Sequence, residues 1–328
     1  MTQKADIDRL SETAAALTDG RASGLRMLDD TGTLAVVLDV TGIPADARQP
    51  IEDRLRAGLL AEPGVKEVRV AMTAERRAMT IIAVGSGKGG VGKSTLATNL
   101  AVALQRRGVR VGLVDADIYG PSLPRLVDSE GVKPEARGSK LVPVPNAYGV
   151  PMLSTGQIAA PGQAIAWRGP MAGKALEQLI DASWGDIDTL VIDLPPGTGD
   201  VQLTMIQRHK PAGAVIVSTP QDLALMDATR AINFFEQASV PIIGLVENMA
   251  GYACPHCGEV SDPFGSGGAE AAAAEMRLDF LGRVPLAMGI RLASDGGVPP
   301  AAGTDPHGEP FHAIAAKVAD WLEARKGK

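Results

Sequence analysis

One run of nine residues constrains this chain more than any other: Gly87-Lys88-Gly89-Gly90-Val91-Gly92-Lys93-Ser94-Thr95, set between an apolar stretch at 81–84 and a helical segment at 95–104. Gly87 and Gly92 frame the spacing G-x-x-x-x-G-K-S, and the glycines let backbone amides converge on phosphate oxygens without obstruction by side chains. Lys93 is expected on the β- and γ-phosphates of ATP and Ser94 on Mg²⁺, with the positive end of the following helix completing the cradle. Such a loop belongs at the carboxyl end of a parallel strand.

The rest of the chain after residue 78 agrees with that placement. Apolar runs at 81–84, 109–114, 190–194, 214–218 and 242–246 alternate with helical segments. They are continuous rather than alternating, the signature of strands buried on both faces, and they predict a doubly wound, mostly parallel α/β sheet. Residues 1–77 read as a separate small α+β unit: a helix at 7–18, a strand at 34–40, a helix at 51–60 and a strand at 65–70. The polar stretch 73–77 serves as linker, and 78–328 forms the phosphate-binding domain.

Three acidic positions fall where the parallel sheet would bring them to the phosphate loop. Asp115 and Asp117 follow the second strand of the domain in Asp115-Ala116-Asp117-Ile118-Tyr119-Gly120-Pro121-Ser122. Asp117 is assigned to position the attacking water and Asp115 to the metal shell. Asp193 ends a later strand, before Leu194-Pro195-Pro196-Gly197-Thr198-Gly199-Asp200, and is expected to hold Mg²⁺ through water while the turn senses the γ-phosphate. Asn248, after the strand at 242–246, is a candidate for reading the adenine edge, with a simple turn residue as the alternative. Lys88 stands inside the loop, poorly placed for its own phosphates but able to reach those of a facing subunit, as an arginine finger does.

Both cysteines of the chain lie in one knuckle, Tyr252-Ala253-Cys254-Pro255-His256-Cys257-Gly258. Two cysteines in 328 residues exclude a disulfide scaffold and point to a reducing compartment, the cytoplasm. Cys254 and Cys257 can turn two thiolates toward one metal, yet a tetrahedral zinc or an iron–sulfur cluster takes four ligands. A symmetric dimer supplies the other two. Redox dithiol, shared zinc and bridging cluster all remain open on the residues alone. The net charge of −6 provides no overall cationic field for nucleic acid, and no apolar run reaches membrane-spanning length.

The loop Lys88-Gly89-Gly90-Val91-Gly92-Lys93-Ser94-Thr95 resembles the deviant phosphate loop of the MinD/ParA/nitrogenase-iron-protein class, a resemblance that implies dimerisation with nucleotide between the subunits. Together with Asp115 to Ser122, Asp193 to Asp200, the run from Asn248-Met249 to Gly258, residues 264–270 and residues 281–286, the chain resembles the Mrp/ApbC family of iron–sulfur cluster carriers. That resemblance implies an ATPase holding a [4Fe-4S] cluster across a homodimer and passing it to apo iron–sulfur proteins. The amino-terminal unit is similar in element order to a MIP18-like domain. Residues 285–291 depart from the family, which more often places a polar or acidic residue there. His307 and His312 are expected at the surface. The competing expectation is a ParA/MinD-like positioning ATPase with a zinc knuckle, which would require a basic surface or an amphipathic anchor. The terminal helix at 311–328 mixes lysine and arginine with Asp320 and Glu323 and offers neither.

Overall fold

The computed structural model describes residues 6–28, 32–41, 43, 45–73, 79–158 and 169–326. Residues 74–77 of the expected linker lie outside the described residues. The chain divides into two compact units, Met1–Ala78 and Met79–Lys328.

The first unit runs α1 (Ile7–Thr18), β1 (Ala22–Met27), β2 (Thr33–Asp39), α2 (Ala45–Leu60) and β3 (Glu67–Thr73). Asp6 caps α1 by accepting from the Asp8 and Arg9 amides, as a carboxylate at that position should. In the three-stranded sheet β2 is central, antiparallel to β1 and parallel to β3. Leu34, Val36 and Leu38 of β2 face Leu10, Ala14, Leu55 and Leu59 of the helices in a single apolar core. Strand β1 went unread in the sequence because Ser23, Gly24 and Arg26, all exposed, break its apolar pattern, and none of its residues is fully buried.

The second unit begins with β4 (Thr80–Gly85), α3 (Lys93–Arg106), β5 (Val111–Asp115) and α4 (Leu123–Leu126). A small hairpin, β6 (Glu135–Arg137) and β7 (Lys140–Val142), precedes β8 (Met152–Ser154) and the short α5 (Thr155–Ile158). Then come α6 (Gly169–Ile180), β9 (Thr189–Asp193), α7 (Asp200–His209), β10 (Gly213–Ser218), α8 (Asp222–Gln237) and β11 (Ile242–Asn248). A second hairpin, β12 (Tyr252–Ala253) and β13 (Val260–Ser261), leads to α9 (Gly268–Met276), β14 (Phe280–Val284), α10 (Met288–Asp295) and α11 (Glu309–Lys326).

Seven strands form one parallel sheet in the order β14-β11-β10-β4-β9-β5-β8. Residues of β5, β9 and β10 are buried throughout, and each face of the sheet has its own core. One core packs Leu96, Leu100 and Leu104 of α3 with Phe311, Ile314 and Val318 of α11; the other packs Leu176 of α6, Met205 of α7 and Phe235 of α8. This is the doubly wound α/β architecture read from the apolar runs. The second strand starts at Val111, not 109, because the Val109 amide turns back to the Leu104 carbonyl at 3.1 Å to close α3.

The strand order locates the crevice. β4 and β5 are consecutive among the main strands in sequence, yet β9 lies between them. Asp193 is in register with Val84 on one side and with Asp115 on the other. The carboxyl ends of β4, β9 and β5 therefore open at one level, where a doubly wound sheet places its ligand.

Candidate functional site

The phosphate loop leaves β4 at Gly85 and enters α3 at Lys93. No side chain caps α3, whose N-cap is Gly92 with φ +81°, so the first amides of the helix are directed to a ligand rather than to protein. Gly92 is required twice over, because its φ lies in the left-handed region and an added Cβ would stand 2.0 Å from Asn248 Nδ2. Gly87 is required by close approach: a Cβ there would lie 2.0 Å from the Asp227 backbone carbonyl in α8.

Lys93 is 6% exposed, and its Nζ lies 2.5 Å from Asp193 Oδ1 and 4.0 Å from Asp117 Oδ2. The loop lysine and two of the three expected carboxylates thus form one cluster. Asp193 is fully buried, and its second oxygen, Oδ2, has no hydrogen-bond partner. Burial lifts the Asp193 carboxyl above its ordinary range, against the pull of Lys93 and the Ser94 hydroxyl. A bare, buried carboxylate oxygen beside a serine hydroxyl at the mouth of an anion-binding helix fits a hard divalent cation such as Mg²⁺.

Asp115, expected in the metal shell, has a different occupation in this structure. Its Oδ1 accepts from the Asp117 amide at 3.2 Å, and Oδ2 accepts from the Leu123 amide at 3.1 Å and the Ser154 hydroxyl at 3.0 Å. Both oxygens are engaged, so Asp115 anchors the loop after β5, and Asp193 is the carboxylate with an oxygen to offer. Burial, then the neighbouring charge of Asp193, pushes the Asp115 carboxyl up to about 7. Asp117 sits on the loop that Asp115 holds. Its Oδ1 accepts from the Tyr119 and Gly120 amides at 3.2 and 3.3 Å, while Oδ2 is turned toward Lys93.

Lys88 is half-exposed on the outer arm of the loop and makes no ion pair with any described residue; only its carbonyl is engaged, by the Ser86 hydroxyl at 2.9 Å. The turn after β9 is docked on the phosphate loop through the Gly197 amide, which donates to the Ser86 carbonyl at 2.9 Å. Asn248, expected at the adenine edge, donates from Nδ2 to the Val91 carbonyl at 2.7 Å and so is tied to the loop itself. His307 and His312 are both partly exposed, as surface residues are; the His307 ring fills the space over Gly289.

Cys254 and Cys257 sit on the turn of the β12–β13 hairpin, where Tyr252 pairs with Ser261 and Ala253 with Val260. The Cys254 amide donates to the Glu259 carbonyl at 2.9 Å, and the Gly258 amide to the Cys254 carbonyl at 2.8 Å. Backbone amides of Cys257 and His256 point at the Cys254 sulfur and hold its thiol below the ordinary range, which favours the thiolate that binds metal. Cys254 is half-exposed and Cys257 exposed. Among the described residues no group of three or more His, Cys, Asp or Glu side chains could hold a metal ion. The knuckle therefore offers two ligands.

Sequence reading missed Glu247. It is fully buried, and it accepts from the Gly267 and Ala269 amides at 3.1 and 2.8 Å and from Arg283 Nε at 3.0 Å. Arg283 also pairs with Glu270. A carboxylate ending an apolar strand was the available signal, but its partners lie 20 to 36 residues downstream.

Fold and crevice define a P-loop NTPase of the deviant-loop class. A family model described as the NUBPL iron-transfer P-loop NTPase matches residues 77–319, and the chain belongs to that family. An iron-sulfur cluster carrier protein of Deinococcus radiodurans is 43% identical over 274 residues, covering 80% of this chain and 78% of that protein. The mitochondrial iron-sulfur protein required for NADH dehydrogenase of Arabidopsis thaliana is 51% identical over 221 residues, 67% of this chain and 70% of that one. Among solved structures, a nucleotide-binding protein of Archaeoglobus fulgidus in complex with ADP is 40% identical, with a TM-score of 0.62 over 71% of this chain and 91% of that one. The cell division ATPase MinD of Pyrococcus furiosus shares the fold at 23% identity, with a TM-score of 0.56 over 74% of this chain and 99% of that one. Among the described residues no helix is long and apolar enough to cross a membrane.

Proposed function

We propose that this protein is an ATP-hydrolysing carrier that holds a [4Fe-4S] cluster between two copies of the chain, through Cys254 and Cys257 of each, and passes it to apo iron–sulfur proteins. The observation that carries this reading is the half-site: two thiols presented on an exposed turn, with no third ligand beside them among the described residues. A four-ligand cluster is then completed by a second knuckle across a two-fold axis. The names of relatives 43% and 51% identical support the same cargo, whereas the likeness to MinD at 23% identity speaks to fold alone.

The crevice supplies the ATPase. On binding, the γ-phosphate takes the Lys93 ammonium from Asp193, and amides of residues 88–95 surround the phosphate oxygens. Ser94 and the bare Oδ2 of Asp193 would hold Mg²⁺, which when bound neutralises charge on the β- and γ-phosphates. Asp117, held by the loop that Asp115 anchors, orients the attacking water. Lys88 is the residue free to reach the nucleotide of a facing copy. Because the two dimer arrangements would bind nucleotide with different affinity, ATP biases cluster holding against release.

The test is anaerobic reconstitution with iron and sulfide, followed by incubation with an apo acceptor. Broad absorption near about 400 nm that depends on both cysteines, and that moves to the acceptor, is the expected result. Zinc retained in place of iron, or iron bound without the cysteines, contradicts it.

A further inference from the structure

Asn248, which is hydrogen-bonded to the phosphate loop, lies six residues before Cys254 of the cysteine knuckle. From Asn248 to Cys254 the backbone can span at most about 20 Å. Both ends of this tether are held. At its start Asn248, buried, donates to the Val91 carbonyl at 2.7 Å, and Val91 lies inside the loop that must close on phosphate. At its far end the Cys254 amide is bonded to the Glu259 carbonyl across the hairpin.

Little slack lies between. Met249 adopts the left-handed conformation, φ +59°, which an unbranched side chain tolerates only at a cost. The Ala250 amide donates to the Val284 carbonyl at 3.0 Å, and the Gly251 carbonyl accepts from the Leu286 amide at 2.9 Å. Upstream, Glu247 is fixed by the Gly267 and Ala269 amides and by Arg283. A displacement of Val91 therefore does not relax back into β11; it acts on the 249–254 segment and on the two bonds that join that segment to residues 284 and 286.

We propose that Asn248 is a positioning residue that couples the phosphate loop to the cysteine knuckle: its grip on Val91 makes loop closure on nucleotide a movement of the 249–254 tether and so of Cys254 and Cys257. This deepens the carrier reading and rests on it for its biological meaning, but the mechanical claim is independent of iron. Coupling between two sites is a free energy shared by both, and it requires an element that both bias; here that element is the tether.

The experiment uses the full, metal-free chain and measures alkylation by a maleimide with and without saturating ATP and Mg²⁺, with nucleotide occupancy followed separately. The chain has two cysteines, both in the knuckle, so the reagent reports that site alone. In the native protein nucleotide is expected to change the alkylation rate at least about fivefold, the lower end of ordinary coupling. Asn248→Ala at full occupancy, and separately a Gly-Gly insertion between Ala250 and Gly251 that leaves Asn248 in place, are each expected to cut this to under about twofold. A native rate indifferent to nucleotide, or either variant keeping the full response, overturns the proposal. Failure of iron reconstitution with an intact thiol response would instead remove the carrier reading and leave the coupling standing.

Discussion

The crevice and the knuckle solve opposite problems. Around Lys93 the loop lysine and its acidic neighbours come from the ends of three adjacent strands of one chain, with the acidic groups at 0% (Asp115, Asp193) and 14% (Asp117) side-chain exposure. Around Cys254 the chain offers two ligands on a two-stranded hairpin open to solvent. The difference teaches where each function must live. A site that stabilises charge by desolvation and fixed dipoles needs the interior of a sheet. A site that must hand its content to another protein needs to be reachable, and two ligands per chain leave its completion to assembly.

The contrast breaks first at Lys93. Lys93→Ala leaves Asp193 buried without a partner, so nucleotide binding is expected to vanish and stability to fall by about 3–5 kcal/mol, as read by nucleotide fluorescence and urea unfolding. Cys254→Ala and Cys257→Ala should do the reverse: iron after reconstitution falls from about four per dimer to none, with nucleotide affinity unchanged. If either cysteine variant lost ATP binding, the two sites could not be assembled independently.

A smaller effect separates binding from chemistry inside the crevice. If Asp117 has the proposed water-orienting role, Asp117→Asn is expected to slow single-turnover hydrolysis by about 10²-fold while ATP affinity stays within about twofold. The smallest effect lies away from both sites. Burial holds the His209 imidazole below its ordinary range, outweighing the neighbouring Asp181 and Glu177 charges. Stability from this group is complete above the unfolded value near 6.5 and is lost as pH falls through it toward the lower folded value. Melting temperature between pH 7 and 5 should therefore drop less in His209→Gln than in the native chain; an equal drop in both removes His209 as the cause.

Legibility in the sequence followed the same divide. Residues 87–95 and Asp193 could be read because spacing and strand burial are local signals, and the continuous apolar runs gave five of the seven strands of the main sheet. Strand β8 is three residues long, and β14 contains Gly282, so neither stood out. The anchoring role of Asp115 depends on Ser154, 39 residues away, and on a backbone amide of residue 123. The grip of Asn248 on Val91 spans 157 residues. Both are products of strand order, which no local pattern encodes. The cysteine pair was visible at once, whereas the lack of a third ligand beside it among the described residues could be read only from the fold.

The most direct test of the half-site is the mass of the species that carries the iron. After anaerobic reconstitution, size-resolved mass measurement with iron analysis on the same fraction should find about four irons per particle at twice the 33.9 kDa chain mass. The particle is expected to return to single chains when either cysteine is replaced. Iron in that amount on a single chain, or a dimer whose iron content ignores Cys254 and Cys257, would contradict the account.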